Sequence, residues 1–214
     1  MPVISVNFAV DLRNRYGDPQ PEDFVHRFSG DICVTDADQD EETVIGKMEI
    51  ILFEIAAGER AGFDPFTIVD SFDHESAQYG GEIFDFGGRV TKNVQRVFPD
   101  LEGFIDRVLV LETMKIEPEY RGRNYGLAAA STAIEFFGQD ALVVLKPFPL
   151  QFSGCVKESN ENEFKRARRK LIAYWKKLGT VKFGDNGHLA RCGADDLPTF
   201  PHEFEDEESI ATAN

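Results

Sequence analysis

The segment Glu119-Tyr120-Arg121-Gly122-Arg123-Asn124-Tyr125-Gly126 combines two glycines and two arginines between a strand-like run ending at Ile116 and a helix-like run beginning at Gly126. That pattern suits anion binding. A helix start exposes backbone N–H groups without intrahelical partners, and its dipole favours negative charge, so converging amides can solvate a pyrophosphate without a metal. Gly122 and Gly126 keep side chains from blocking close approach of the backbone, and Arg121 and Arg123 add positive charge. A second group with chemical potential is Glu112, the polar member of the row Val110, Glu112, Met114 and Ile116 that strict alternation places on one strand face. A carboxylate there could take a proton from an amine, directly or through water; polar orientation or packing is its other reading.

Other reactive types are less organised. Lys157, Lys165, Arg166, Arg168, Arg169, Lys170, Lys176 and Lys177 concentrate positive charge in an acidic chain, as a solvated helix face or as a source of cations for a phosphate. Cys155 has no triad signature around it and reads as incidental. His74, between Asp73 and Glu75, reads as a solvated residue rather than a metal ligand.

The elements that must position these groups follow from periodicity. Asp31 to Thr35 and Thr43 to Phe53 read as strands of an antiparallel hairpin around the acidic turn Asp36 to Glu42. Asp11 to Asp23 reads as a loop or irregular entry helix, Glu54 to Pro65, broken by Gly58, Gly62 and Pro65, reads as a loop, and Phe66 to Tyr79 allows a helix. Arg107 to Ile116 is the clearest strand, stopped by Pro118. Gly126 to Phe137 then repeats Leu127, Ala130, Ile134 and Phe137 on one helical side, and Ala141 to Leu145 supplies the next strand. Strand, turn, helix, strand is a crossover unit, for which a parallel connection is expected. A late helix from about Asn160 to Leu178, ended by Gly179, precedes short strands at Thr180 to Phe183 and His188 to Cys192. The fold class expected is α/β, a mixed twisted sheet flanked by helices, with one domain over residues 1–194 and an acidic tail over 195–214 mostly outside the core.

With these elements in order, the chain resembles the GCN5-related N-acetyltransferase (GNAT) superfamily. Its cofactor motif runs Pro, two residues, Arg or Gln, two residues, Gly, one residue, then Gly or Ala; Pro118, Arg121 and Gly126 keep that frame, and Asn124 stands where the first glycine is usual. The resemblance implies that Met114, Lys115, Ile116, Arg121, Gly122, Arg123, Asn124, Tyr125, Gly126 and Leu127 hold the pantetheine and pyrophosphate of acetyl-coenzyme A or another acyl-coenzyme A. It also implies direct acetyl transfer to a primary amine of a small molecule or peptide, with Glu112 as candidate base; some members carry that glutamate where Val110 stands here. Tyr174-Trp175-Lys176-Lys177-Leu178-Gly179 resembles the end of the family's late helix. Many members place a proton-donating tyrosine at the position of Trp175. The adjacent Tyr174 is the candidate donor, and Trp175 either packs against pantetheine or closes the core. A noncatalytic acyl-coenzyme A binding or regulatory module is the alternative reading.

Length and charge set the outer limits. A chain of 214 residues can bury a core without disulfides, and its three scattered cysteines, Cys33, Cys155 and Cys192, suggest neither a disulfide framework nor structural zinc. A net charge of -15 disfavours nucleic acids and anionic membranes as partners. No stretch reads as a secretion signal or a membrane span, so a cytoplasmic location is expected, and a homodimer is compatible with everything above.

Overall fold

The computed structural model describes residues 3–10, 17–35, 41–101, 103–153, 160–198 and 200. Its centre is a seven-stranded mixed sheet. The strands are β1 (Val3–Val10), β2 (Val25–Thr35), β3 (Glu42–Phe53), β4 (Arg107–Ile116), β5 (Ala141–Leu145), β6 (Val181–Phe183) and β7 (His188–Cys192), in the spatial order β1-β2-β3-β4-β5-β7-β6. β4 and β5 are parallel and every other neighbouring pair is antiparallel. The connection between the parallel pair carries α5 (Tyr125–Phe137), as the crossover reading requires.

Two apolar layers sandwich the sheet. On one face α5 and α6 (Glu161–Trp175) cover Leu109, Leu111, Leu127, Ile134 and Leu178. Ala129, Ala130 and Ala133 are fully buried, so short side chains let α5 lie close to the strands. The opposite face is covered by four short helices: α1 (Ile55–Arg60), α2 (Pro65–Asp70), α3 (His74–Ile83) and α4 (Lys92–Val97). They enclose Ile51, Phe53, Val108, Val110 and Val144. Each such aliphatic side chain removed from water contributes about 1.5–3 kcal/mol.

Several expectations change here. β1 is a strand in a stretch to which the sequence reading assigns no element, its first strand being placed at Asp31, although Val-Ile-Ser-Val-Asn-Phe-Ala-Val alternates as a half-buried strand should. The segment Glu54 to Pro65 is not a loop, because it contains α1. Gly58, which looked like a breaker, instead permits close helix contact: a Cβ there would collide with Ile68 Cδ1. The single helix expected over Phe66 to Tyr79 is two, because Asp64 and Asp73 each accept a backbone N–H, from Thr67 at 3.0 Å and Ser76 at 2.7 Å, and so start separate helices. Within the expected tail, Leu197 and Phe200 pack against the core, and residues 199 and 201–214 lie outside the described residues. Cys155, Lys157 and the turn residues Asp36 to Asp40 lie outside the described residues.

Two polar tethers fix the carboxyl-terminal strands. Arg191, 2% exposed, donates to the carbonyls of Leu178, Cys192 and Asp195 at 2.5, 3.1 and 2.6 Å, and burial lowers its pKa. Glu82 of α3 accepts from the backbone N–H groups of Asp185 and Asn186 and lies 2.5 Å from His188 Nδ1, tying the β6–β7 turn to α3. The sheet edges differ. β6 is three residues long and carries Lys182, whereas β1 has eight residues, none charged, and no neighbour on its outer side among the described residues.

Candidate functional site

The site is built around the place where β4 outruns β5. Their pairing runs from Arg107 opposite Ala141 to Leu111 opposite Leu145, where β5 ends, while β4 continues to Ile116. Glu112 is therefore the first residue of β4 past the last pair. On the other side of β4 the register with β3 also breaks: Ile50 lies opposite Leu111 and Glu49 opposite Thr113, leaving Glu112 as an inserted residue, a β-bulge.

That bulge corrects the strand alternation expected from sequence. Leu109, Leu111, Met114 and Ile116 all belong to the α5 side, and Val110 belongs to the opposite side. The expected row of Val110, Glu112, Met114 and Ile116 does not exist, because one extra residue between Leu111 and Thr113 resets the alternation. Glu112 instead meets charged groups of β2 and β3: its Oε2 lies 3.4 Å from Arg27 Nη2, which also pairs with Glu49 at 2.9 Å. Thr113 Oγ1 donates to the same Glu49 carboxylate at 3.3 Å.

Burial raises the Glu112 pKa above its ordinary value; Arg27 opposes that shift, while Glu49, Asp73 and Glu75 reinforce it. Glu112 Oε2 is buried without a hydrogen-bond partner among the described residues. A carboxylate so placed is moved toward the neutral range in which a general base is most effective. Arg27 and Glu49 carry no sequence signal for this role, because only the register of three strands brings them to Glu112.

On the α5 side, Pro118 to Tyr120 form one 3-10 turn and Asn124 adopts a left-handed conformation with φ 58° and ψ 12° just before α5. Gly122 has φ 84°. Asn is among the few residues other than glycine that enter this region at small cost. No backbone hydrogen bond takes up the N–H groups of Gly122, Asn124, Tyr125 or Gly126 among the described residues. A cavity of about 160 Å³ lies at this turn, lined by Ile116, Tyr120, Tyr174 and the turn residues Arg121 to Gly126 other than Arg123. Unclaimed amides at the start of a 13-residue helix, beside a cavity, fit an anion with several oxygens.

The sequence-derived site residues divide around this cavity. Arg121 Nε donates to the Ile116 carbonyl at 2.8 Å, so its first role is to clamp the turn to the end of β4. Arg123 is exposed, and Lys115 is exposed and paired with Glu117 at 3.2 Å. Leu127 is fully buried and Met114 packs against the same core. Trp175 is 9% exposed and belongs to the core, its ring centroid 5.2 Å from that of Tyr174.

Tyr174 reaches the turn. A Cβ built on Gly126 would lie 2.8 Å from its hydroxyl and 3.2 Å from Met114 Sδ, so the absent side chain at Gly126 is what admits the phenol. Burial pushes Tyr174 up to about 12, with the Leu127 N–H acting against the shift. A phenol at that value is protonated at neutral pH and able to donate a hydrogen bond. Tyr120 also lines the cavity; its place inside the turn was the signal that could have identified it.

Among the described residues no group of three or more His, Cys, Asp and Glu could hold a metal ion, and no helix is long and apolar enough to cross a membrane. Comparison of the chain with protein-family models, curated proteins and solved structures finds no match.

Proposed function

We propose that the protein is a GNAT-like N-acetyltransferase, moving an acetyl group from acetyl-coenzyme A, or a related acyl-coenzyme A, to a primary amine. The observation that carries this reading is the juxtaposition at the end of β4: unclaimed amides beside a cavity on one face of the sheet, and a half-buried carboxylate of raised pKa at the adjacent bulge on the other. An acyl donor whose pyrophosphate rests on Gly122 to Gly126 would run its pantetheine along the part of β4 that β5 leaves unpaired.

The amine then approaches from the α3 side, where Glu112 accepts its proton. Nitrogen bonds to the thioester carbon, the carbonyl electrons move onto oxygen, and collapse of that oxyanion breaks the carbon–sulfur bond and releases coenzyme A as thiolate. Backbone N–H groups on the unpaired segment of β4 supply donors for the oxyanion. Tyr174 donates a hydrogen bond toward the thiolate, and solvent completes its protonation. Positioning of the two substrates supplies much of the rate, so no covalent enzyme intermediate is required.

Calorimetric titration with acetyl-coenzyme A, followed by measurement of free thiol across a panel of primary amines, tests both halves. Binding with amine-dependent thiol release is the expected result. Binding without turnover for any amine would favour the acyl-coenzyme A binding module, and absence of binding would defeat both.

A further inference from the structure

A second cavity, of about 220 Å³, lies between α6 and the β6–β7 hairpin and shares no lining residue with the cavity at the α5 turn. Arg168 and Lys176 reach it from α6 and the turn that follows, and Lys182 from β6; Asp185 stands at the hairpin, and Ile172 and Leu189 provide an apolar floor. Three cations against one carboxylate leave two positive charges in excess, in a chain whose net charge is -15.

The arrangement is partly fixed in advance. Arg168 Nη2 donates to the carbonyls of Asn186 and Gly187 at 2.9 and 3.5 Å. A Cβ at Gly187 would lie 2.5 Å from that nitrogen, so the glycine, at φ 76°, is what lets the guanidinium reach the hairpin. Lys176 and Lys182 are exposed, and neither is paired with a carboxylate among the described residues. A solvated helix face, the simpler reading of the α6 charges, explains Lys165, which pairs with Glu161 at 2.6 Å. It does not explain why cations from two elements line one concavity over buried Leu189.

We infer that this cavity binds a phosphate monoester dianion, its phosphate held by Arg168, Lys176 and Lys182 and its organic part resting on Ile172 and Leu189. Two excess positive charges match a phosphate monoester better than a carboxylate, and separated cationic donors suit a tetrahedral anion better than a planar one. This inference stands apart from the acetyltransfer reading, because it uses none of the same residues.

Phenyl phosphate is the probe, with benzoate as the planar monoanion of similar apolar size, and binding is followed through backbone amide shifts of the intact chain. Saturable shifts are expected at Lys182, Asn186 and Gly187. The double substitution Lys176→Gln and Lys182→Gln, both at exposed positions, should weaken phenyl phosphate at least about tenfold, and benzoate should bind wild type weaker by a similar factor. Lys177→Gln, which removes an equal charge from a neighbouring lysine outside the cavity, should leave affinity unchanged. Shifts confined to Gly122 to Gly126, absence of saturation, equal affinity for benzoate, or equal losses in the Lys177 and Lys176/Lys182 variants would each overturn the inference.

Discussion

Glu112 is held between a cation and a desolvated setting, and the balance leaves its pKa raised. Replacement by Gln keeps the shape and removes the basic group. Turnover at neutral pH should fall by about 10²–10⁴-fold with acetyl-coenzyme A affinity unchanged, a contrast that steady-state kinetics and calorimetry read separately. Stability gives an independent sign. A carboxyl group whose folded-state pKa is raised stabilises the fold fully only below its unfolded value, near 4.5, and that contribution is lost as pH climbs through the folded value. Relative to wild type, Glu112→Gln should therefore gain thermal stability between mildly acidic and neutral pH, and equal melting-temperature differences at every pH would refute the shift. Gly126 and Tyr174 form a second testable pair. Gly126→Ala places a methyl group against the phenol, and Tyr174→Phe removes the oxygen it meets. The double variant should recover about 1 kcal/mol relative to the sum of the single changes, in urea unfolding; simple additivity would show that the contact is not the constraint.

At the scale of elements, the α5 turn depends on one backbone conformation. Asn124→Gly should be neutral to within a few tenths of a kcal/mol, whereas Asn124→Val should cost about 1–2 kcal/mol and weaken acetyl-coenzyme A binding, because a β-branched residue resists the left-handed region. Equal stability of the two variants would contradict the observed φ of 58°. This turn was legible in the sequence because its information is local: Pro118, Gly122, Asn124 and Gly126 each limit the backbone within a few residues. β4, β5 and α5 were legible for the same reason. The bulge at Glu112 was not, since nothing in Leu111-Glu112-Thr113 distinguishes an inserted residue from an alternating one until β3 and β5 set the register. α1 was hidden by reading Gly58 as a breaker when its cause was contact with Ile68 across the chain. The partners of Glu112 were hidden likewise, because Arg27 is 85 residues away in sequence and reaches it only through sheet order.

Taken whole, the molecule joins strong like charge to an unequal pair of sheet borders. The short β6 border is interrupted by Lys182, while β1 offers eight uncharged residues with no strand on their outer side among the described residues, Val3 among them at 59% exposure. A border of that kind is a template for another strand, and such templates are usually guarded by local charge. Here the local guard is one carboxylate, Glu42, which accepts from Ser5 Oγ and Asn7 Nδ2 at 3.0 and 3.1 Å, and the net -15 of the chain adds a diffuse one that repels a second copy before backbone groups can meet. Diffuse repulsion is screened by salt. Raising ionic strength from about 0.01 M to about 1 M shortens the Debye length from about 30 Å to about 3 Å. Light scattering at fixed protein concentration should then report reversible growth in particle size, abolished by a lysine at Asn7 in the middle of β1; a size independent of salt would remove the premise. The protein's colloidal behaviour would thus run opposite to that of an assembly held by ion pairs, dispersing in dilute buffer and associating in brine.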